Sequence, residues 1–181
     1  MAKARHAMRL GAALLVLGTP ASAAAADYYV SPSGSDGGPG SSAEPWATLQ
    51  HAADAIAPGD AVHVRAGTYE EHVVIQVTGT ANAPVVFAAE PGETVVVDGQ
   101  NVTLPDWGGL VWVRDSSYVT VSGFRVQTAR PHDVSAGIFV TGSDHVTIED
   151  NQTYDTQSSG IGVWGSEQVT VRNNEIELAC N

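Results

Sequence analysis

A repeat of short segments with alternating apolar residues constrains this 181-residue chain more than any other feature. The apolar pairs form two series between residues 62 and 171, and each series recurs at an interval of roughly 25 residues. The clearest units superpose residues 137–151 on residues 160–174. Short strands at this interval, with no helical pattern inside the repeat, predict an all-β solenoid with two strands per coil. A leucine-rich repeat has a similar period, but its leucine positions are absent.

Residues 1–26 are predicted to be an export signal. Basic residues up to Arg9 precede an apolar run over 10–17, and small residues over 21–26 suit a signal peptidase. The run is about half the ~20 residues needed to span a bilayer, so we expect cleavage near Asp27 and a secreted protein without a membrane anchor.

The chain after residue 26 is strongly acidic. Three of the eight basic residues lie in the signal and none of the 20 acidic ones does, which leaves 5 − 20 = −15 for residues 27–181. Lys3 is the single lysine of the sequence, so this portion contains none. Such a surface is poorly suited to nucleic acid or to an anionic membrane.

The chain after the signal divides into two parts. Residues 27–59 are predicted to form a short strand, a turn-rich segment and a capping helix over 45–57, with Ser42 as its N-cap. Residues 60–181 are predicted to form about five coils, in which Asn151 and Asn174 occupy equivalent turns and form a ladder of buried amides. Cys180 is the single cysteine of the sequence. Either it pairs with a cysteine further along a longer chain, or it is a free thiol.

Several segments resemble the N-terminal cap and first coils of secreted right-handed parallel β-helix proteins of polysaccharide lyase family nine, the pectate-lyase type. The segments are Tyr-Tyr-Val-Ser-Pro-Ser-Gly-Ser-Asp from residue 28, Pro-Trp-Ala-Thr-Leu-Gln-His-Ala from 45, Pro-Gly-Asp-Ala-Val-His-Val-Arg-Ala-Gly-Thr-Tyr from 58 and Val-Val-Val-Asp-Gly from 95. The resemblance implies a right-handed parallel β-helix. It also implies more coils after Asn181, and hence that this sequence is the N-terminal portion of a longer chain.

The same resemblance implies β-elimination in polymers of uronic acids. In lyases of this family the base is a lysine, and an acidic cluster holds Ca²⁺. Residues 27–181 offer no lysine for the first role and no clear match for the second. We therefore expect the catalytic coil to be absent from this chain, and whether the chain is an enzyme stays open.

The outward neighbours of the first apolar series predict a polysaccharide-binding face. Aromatic planes suit the apolar faces of sugar rings, and the arginine fork pairs with carboxylates at two points. The predicted binding residues are Trp112, Arg114, Phe139 and Trp164. The alternative is that turn loops cover these aromatic rings.

The loop over 129–135 holds further candidates. Arg130 could contact an acidic sugar and His132 could transfer a proton. Asp133, with Asp155 in the equivalent turn one coil later, could bind a cation such as Ca²⁺. The alternative is an ordinary polar surface loop.

Two functions remain open at this point. The first is a secreted protein of polysaccharide-lyase type that contacts or degrades acidic polysaccharide. The second is a non-catalytic carbohydrate-binding or adhesive solenoid; a hydrolase with paired acids is a more distant third. The charge of −15 repels an acidic polymer, so the first function requires bridging Ca²⁺ or localised arginines.

Overall fold

The computed structural model describes residues 25–130 and 135–180, which form a parallel β-solenoid around one apolar core. The elements are β1 (Asp27–Val30), α1 (Leu49–Ala55), β2 (Ala61–Val64), β3 (Gly67–Tyr69), β4 (Val73–Ile75), β5 (Val85–Ala89), β6 (Val95–Asp98), β7 (Gly108–Arg114), β8 (Val119–Ser122), β9 (Phe124–Gln127), β10 (Ser135–Thr141), β11 (Thr147–Glu149), β12 (Gln152–Thr156), β13 (Ser159–Trp164), β14 (Thr170–Arg172) and β15 (Glu175–Ala179).

Three parallel sheets run along the solenoid, so each full coil contributes three strands rather than the predicted two. The six-stranded sheet has the order β1-β2-β5-β8-β11-β14, the five-stranded sheet β3-β6-β9-β12-β15 and the four-stranded sheet β4-β7-β10-β13. The prediction of an all-β solenoid is confirmed. The prediction of two strands per coil is wrong because it combined strands of different sheets into one series.

The interval between paired residues explains that error. In the last coils Ile138 pairs with Ile161, and the predicted superposition of residues 137–151 on 160–174 is confirmed. In the early coils Val85 pairs with Val119, which lies much further along the chain than the repeat interval predicts. Inserted loops lengthen these coils, and a constant period therefore fails to identify equivalent strands there.

Helix α1 closes the first coil, but it is shorter than the predicted 45–57. Its N-cap is Thr48 rather than Ser42, because the main chain of Trp46 pairs with Tyr29 and Ser31 and holds this segment extended. The buried side chains of the helix face the core; they are Leu49, Ala52 and Ala53. Within the described residues, no helix is long and apolar enough to span a membrane.

Two distant carboxylates hold the N-terminus of α1. Asp36 accepts hydrogen bonds from the amides of Ala47 at 2.7 Å and Thr48 at 3.0 Å, and from the Thr48 hydroxyl at 2.9 Å. Glu71 accepts from the amides of Leu49 and Gln50, both at 2.9 Å. Four of these five bonds satisfy main-chain amides at the start of the helix that would otherwise be left to water.

The two carboxyl groups respond differently to this environment. Burial raises the pKa of Asp36, but the hydrogen bonds from Thr48 and Ala47 outweigh burial and hold the pKa below its ordinary value. Glu71 is more deeply buried, and burial raises its pKa despite the two amide bonds that favour the carboxylate. Of these two carboxyl groups, Asp36 is the one whose ionised form the folded chain favours.

An asparagine ladder fixes one corner of the last coils, as predicted. Asn151 is 1% exposed; its Oδ1 accepts the Phe124 amide at 2.9 Å and its Nδ2 donates to the Val121 carbonyl at 3.1 Å. Asn174 repeats the pattern one coil later, where its Oδ1 accepts the Asn151 amide at 2.9 Å. Each asparagine satisfies main-chain groups that the strands leave unpaired at the corner.

Residues with a left-handed backbone mark the corners in successive coils. Each corner keeps its conformation from one coil to the next, so the strands between corners stay in register. The four columns are Asp115, Gly142 and Gly165; Tyr118, His145 and Gln168; Gly123, Asp150 and Asn173; and Thr128, Asp155 and Leu178.

Replacing Asn151 should destabilise the solenoid more than replacing Asn174, its partly exposed counterpart. Asn151→Ala leaves a buried amide and a buried carbonyl unpaired, so we expect a loss of about 1–3 kcal/mol in the free energy of unfolding. Asn174→Ala should cost less, because water reaches that corner. Denaturation in urea measures both variants, and equal losses would contradict the ladder's role.

Asp36→Asn should destabilise the chain in a pH-dependent way. We expect a loss of about 1 kcal/mol at pH 7, typical of a helix cap. Because the folded-state pKa lies below the unfolded value, the stabilisation is present above pH ~4 and is lost as the pH falls through the folded pKa. Thermal unfolding from pH 7 to pH 3 should show the variant and the natural chain converging in acid. The control is Asp150→Asn, at an exposed carboxylate.

Candidate functional site

The predicted binding residues lie on the outer face of the four-stranded sheet, in the predicted rows. Trp112 in β7 pairs with Phe139 in β10. In the next row Arg114 pairs with Thr141, and Thr141 pairs with Trp164 in β13. Parallel pairing places these side chains about 4.8 Å apart along the solenoid, so the sheet presents them as continuous columns.

A loop covers the first row. Trp112 is 7% exposed and Phe139 is 9% exposed, because Trp107 lies edge-on against both rings at centroid distances of 5.7 and 5.1 Å. The Trp112 ring also donates from Nε1 to the Thr141 hydroxyl at 2.8 Å. These contacts match the alternative of aromatic rings beneath a loop. Trp107 is partly exposed. It lies outside the repeat, so the sequence pattern did not predict its place beside these rings.

In the second row Thr141 is buried, whereas Arg114 and Trp164 reach the surface. Trp164 is 69% exposed. The Arg114 guanidinium lies over the ring of Trp112, with its central carbon 4.9 Å from the ring centroid, and its Nη2 donates to Gln76 Oε1 at 3.2 Å. The Arg114 Nε lies 3.6 Å from Asp115 Oδ2. Arg114 is therefore oriented by contacts on three sides.

Two grooves share the Trp112–Arg114 pair. One has a volume of about 410 Å³ and reaches Trp107 and Trp164. The other has a volume of about 640 Å³ and reaches the side of α1 at Gln50 and Asp54; its remaining lining residues are Ala53, Ile56, His72, Val74, Gln76 and Pro105. The pair thus lies between two depressions that extend from α1 to β13.

His72 lies in the larger groove beside Trp112. Their rings stack at 6.4 Å, and the His72 Nε2 is buried without a hydrogen-bond partner among the described residues. Burial lowers the pKa of His72, and the nearby charge of Arg114 adds to this effect, although a backbone bond with Gly109 opposes it. Burial therefore favours the neutral form of the His72 ring. Among the described residues that line the two grooves, Arg114 is the one cationic side chain.

The second set of candidates lies elsewhere. Arg130 forms an ion pair with Asp155, a corner residue of β12 in the five-stranded sheet. His132 and Asp133 lie outside the described residues. Across residues 25–130 and 135–180, no three metal-ligating side chains of His, Cys, Asp or Glu converge. The predicted Ca²⁺ site stays a prediction, because one of its two carboxylates, Asp133, lies outside the described residues.

Comparison with known proteins accounts for the architecture. Residues 28–180 match the family described as the Pel9A-like, right-handed β-helix region. The chain belongs to this family. The predicted resemblance and the right-handed parallel β-helix are thereby confirmed.

Curated relatives of this β-helix protein are considerably longer. This chain is 35% identical over 131 residues to the uncharacterized protein YwoF of Bacillus subtilis. The matched region covers 69% of this chain and 28% of YwoF. This chain is also 44% identical over 80 residues to pectate lyase PEL9 of Emericella nidulans. That matched region covers 43% of this chain and 20% of PEL9. The chain thus spans between a fifth and a third of the length of these relatives.

Solved structures share the fold at low sequence identity. A rhamnogalacturonan lyase is 24% identical with a TM-score of 0.65, over 74% of this chain and 37% of that one. An alginate lyase from Paenibacillus sp. str. FPU-7 is 22% identical with a TM-score of 0.56, over 70% and 40%. Pectate lyase Pel9A is 20% identical with a TM-score of 0.50, over 80% and 47%.

Proposed function

We propose that this chain is the polysaccharide-binding N-terminal part of a secreted β-helix protein of polysaccharide-lyase type, and that it binds a uronic-acid polymer along the outer face of the four-stranded sheet. The single observation that carries the proposal is Arg114, which Trp112, Gln76 and Asp115 orient and which is the one cationic side chain among the described residues that line the two grooves. The names of the relatives, which include pectate, rhamnogalacturonan and alginate lyases, support an acidic polysaccharide.

The chemistry of the site suits a sugar carboxylate. A guanidinium offers planar N–H groups that match the two oxygens of a carboxylate. Packing on the Trp112 ring keeps that plane fixed, so little side-chain entropy is lost when a ligand binds. Trp164, two strands away in the same row, offers an aromatic face to a neighbouring sugar ring.

The acidic surface favours a local arginine over a bridging cation. The charge of −15 on residues 27–181 repels a polyanion at long range, but salt screens this repulsion beyond about 10 Å. Among the described residues, no three His, Cys, Asp or Glu side chains converge on a common position. We therefore propose that Arg114 supplies the contact with the polymer and that binding does not depend on Ca²⁺.

The larger groove carries opposite charges at two of its parts, and this arrangement affects which polymer it can bind. Arg114 lines one part of it and the exposed Asp54 lines another, with apolar walls from Ala53, Val74 and Pro105. A second carboxylated sugar beside Asp54 would be repelled, whereas a neutral sugar could donate its hydroxyls to that carboxylate. The groove thus favours a polymer that alternates acidic and neutral sugars.

The proposed role is binding rather than cleavage. The lyases that this chain resembles use a lysine base, and residues 27–181 contain no lysine. Incubation with polygalacturonate should therefore yield no unsaturated product absorbing in the ultraviolet. Appearance of that product would contradict the binding-only role and would identify the chain as a lyase with a different base.

Arg114→Gln should weaken binding of uronic-acid polymers about 10- to 100-fold, the effect of losing a charge-assisted hydrogen-bond pair. Trp164→Ala should weaken it several-fold. Calorimetry with polygalacturonate fragments measures both variants, with EDTA present in a parallel series. The matched control is Arg172→Gln, since Arg172 pairs with Glu149 on the six-stranded sheet. Equal losses at Arg114 and Arg172, or loss of binding in EDTA, would contradict the proposal.

Asp54→Asn should change the preference among polymers. We expect the natural chain to bind an alternating acidic and neutral polymer more tightly than polygalacturonate, and the substitution to narrow this difference several-fold by removing the repulsion. Asp150→Asn removes an equal charge outside the groove and should leave the preference unchanged. An unchanged preference in Asp54→Asn would exclude the role of Asp54 while leaving that of Arg114 intact.

A further inference from the structure

We infer that the export signal is cleaved between Ala25 and Ala26, and that the buried carboxylate of Asp60 holds the new α-ammonium of Ala26. The inference rests on the predicted signal and is independent of the proposed function. The sequence does not select this position, because the small residues over 21–26 satisfy the small-x-small pattern for cleavage after residue 23, 24, 25 or 26.

Ala26 is already part of the folded solenoid. Its main-chain nitrogen donates to Asp60 Oδ1 at 2.9 Å, and its carbonyl accepts the Ala61 amide, also at 2.9 Å. Strand β1 begins at the next residue, Asp27, which pairs with Ala61 in β2. Ala26 thus makes the first main-chain contacts of the six-stranded sheet.

Asp60 is a buried carboxylate that lacks a cation among the described residues. It is 5% exposed, and its second oxygen accepts the Ala57 amide at 2.8 Å. No basic side chain of the described ranges forms an ion pair with it. Burying a carboxylate is costly unless a positive charge compensates it. An ammonium group at the Ala26 nitrogen would supply that charge at hydrogen-bond distance.

The alternative cleavage positions fit the structure less well. Cleavage after Ala26 would remove the amide that contacts Asp60 and the carbonyl that accepts from Ala61, leaving both partners unpaired. Cleavage after residue 23 or 24 would leave the Ala26 nitrogen as a neutral amide. Cleavage after Ala25 alone places a positive charge on the atom that Asp60 already contacts.

Cleavage at this position would strengthen the fold. Hydrogen bonds to charged groups contribute more than those between neutral groups, and we expect the difference to raise the folding equilibrium constant about fivefold. The processed chain would then be more stable than the same chain with its signal attached. Removal of the signal would thus favour folding after export.

The N-terminus of the secreted protein tests the position directly. Export of the full chain from a bacterial host, followed by N-terminal sequencing and intact mass measurement, should give Ala26 as the first residue. A secreted protein that begins at Ala24, Ala25 or Asp27 would overturn the inference.

The ammonium contact needs a separate measurement. A chain that begins at Ala26, released from a fusion by a protease, should lose about fivefold in its folding equilibrium constant when its α-amine is acetylated. In Asp60→Asn, acetylation should have no effect. Equal effects of acetylation in both chains would overturn the role of Asp60.

A second comparison holds even if Asp60→Asn does not fold. A chain that begins at Ala25 keeps a neutral amide at Ala26, and it should match the acetylated chain in stability. If it instead matches the unmodified chain that begins at Ala26, the charge at that nitrogen contributes nothing and the inference fails.

Discussion

Main-chain hydrogen bonding between successive coils is the interaction on which the rest of this structure depends. Every coil leaves its strand edges unpaired until the next coil lies against them, and parallel pairing then fixes the register of each side chain. The corners obey the same rule through left-handed residues and the Asn151–Asn174 ladder. A position in one coil therefore determines which positions lie next to it in the neighbouring coils. Equivalent residues of successive coils form columns along the solenoid.

The candidate site arises where such columns meet segments that break the repeat. The column of Arg114, Thr141 and Trp164 belongs to the repeating scaffold. The loop that carries Trp107 and the helix that carries Asp54 do not, and they supply the walls of the two grooves. The scaffold sets the spacing, and the non-repeating segments determine which residues are accessible. The local charge also arises this way, since Arg114 is cationic on a chain whose overall charge is strongly negative.

The sequence predicted the repeating parts well and the interruptions poorly. Alternation of apolar residues is sufficient to identify equivalent strands in the last coils, because these coils have no insertions. It failed in the early coils, where loops separate Val85 from Val119, and at α1, where main-chain pairing of Trp46 with β1 shortens the helix. Alternation indicates that Trp112 points outward but not that Trp107 covers it. Trp107 was missed because it lies outside the repeat. His72 was missed because the repeat does not show that the residue before Val73 lies beside Trp112.

The closed end of the solenoid also imposes an order of assembly. The contacts that hold α1 join Asp36, Thr48 and Glu71, so they are complete once the chain has emerged as far as Glu71. Because synthesis proceeds from the N-terminus, this unit is complete before most strands of the three sheets have been made. Each later coil then meets a finished surface of the preceding one and needs only local pairing. Assembly can proceed in one direction as the chain is synthesised, without waiting for distant parts of the chain.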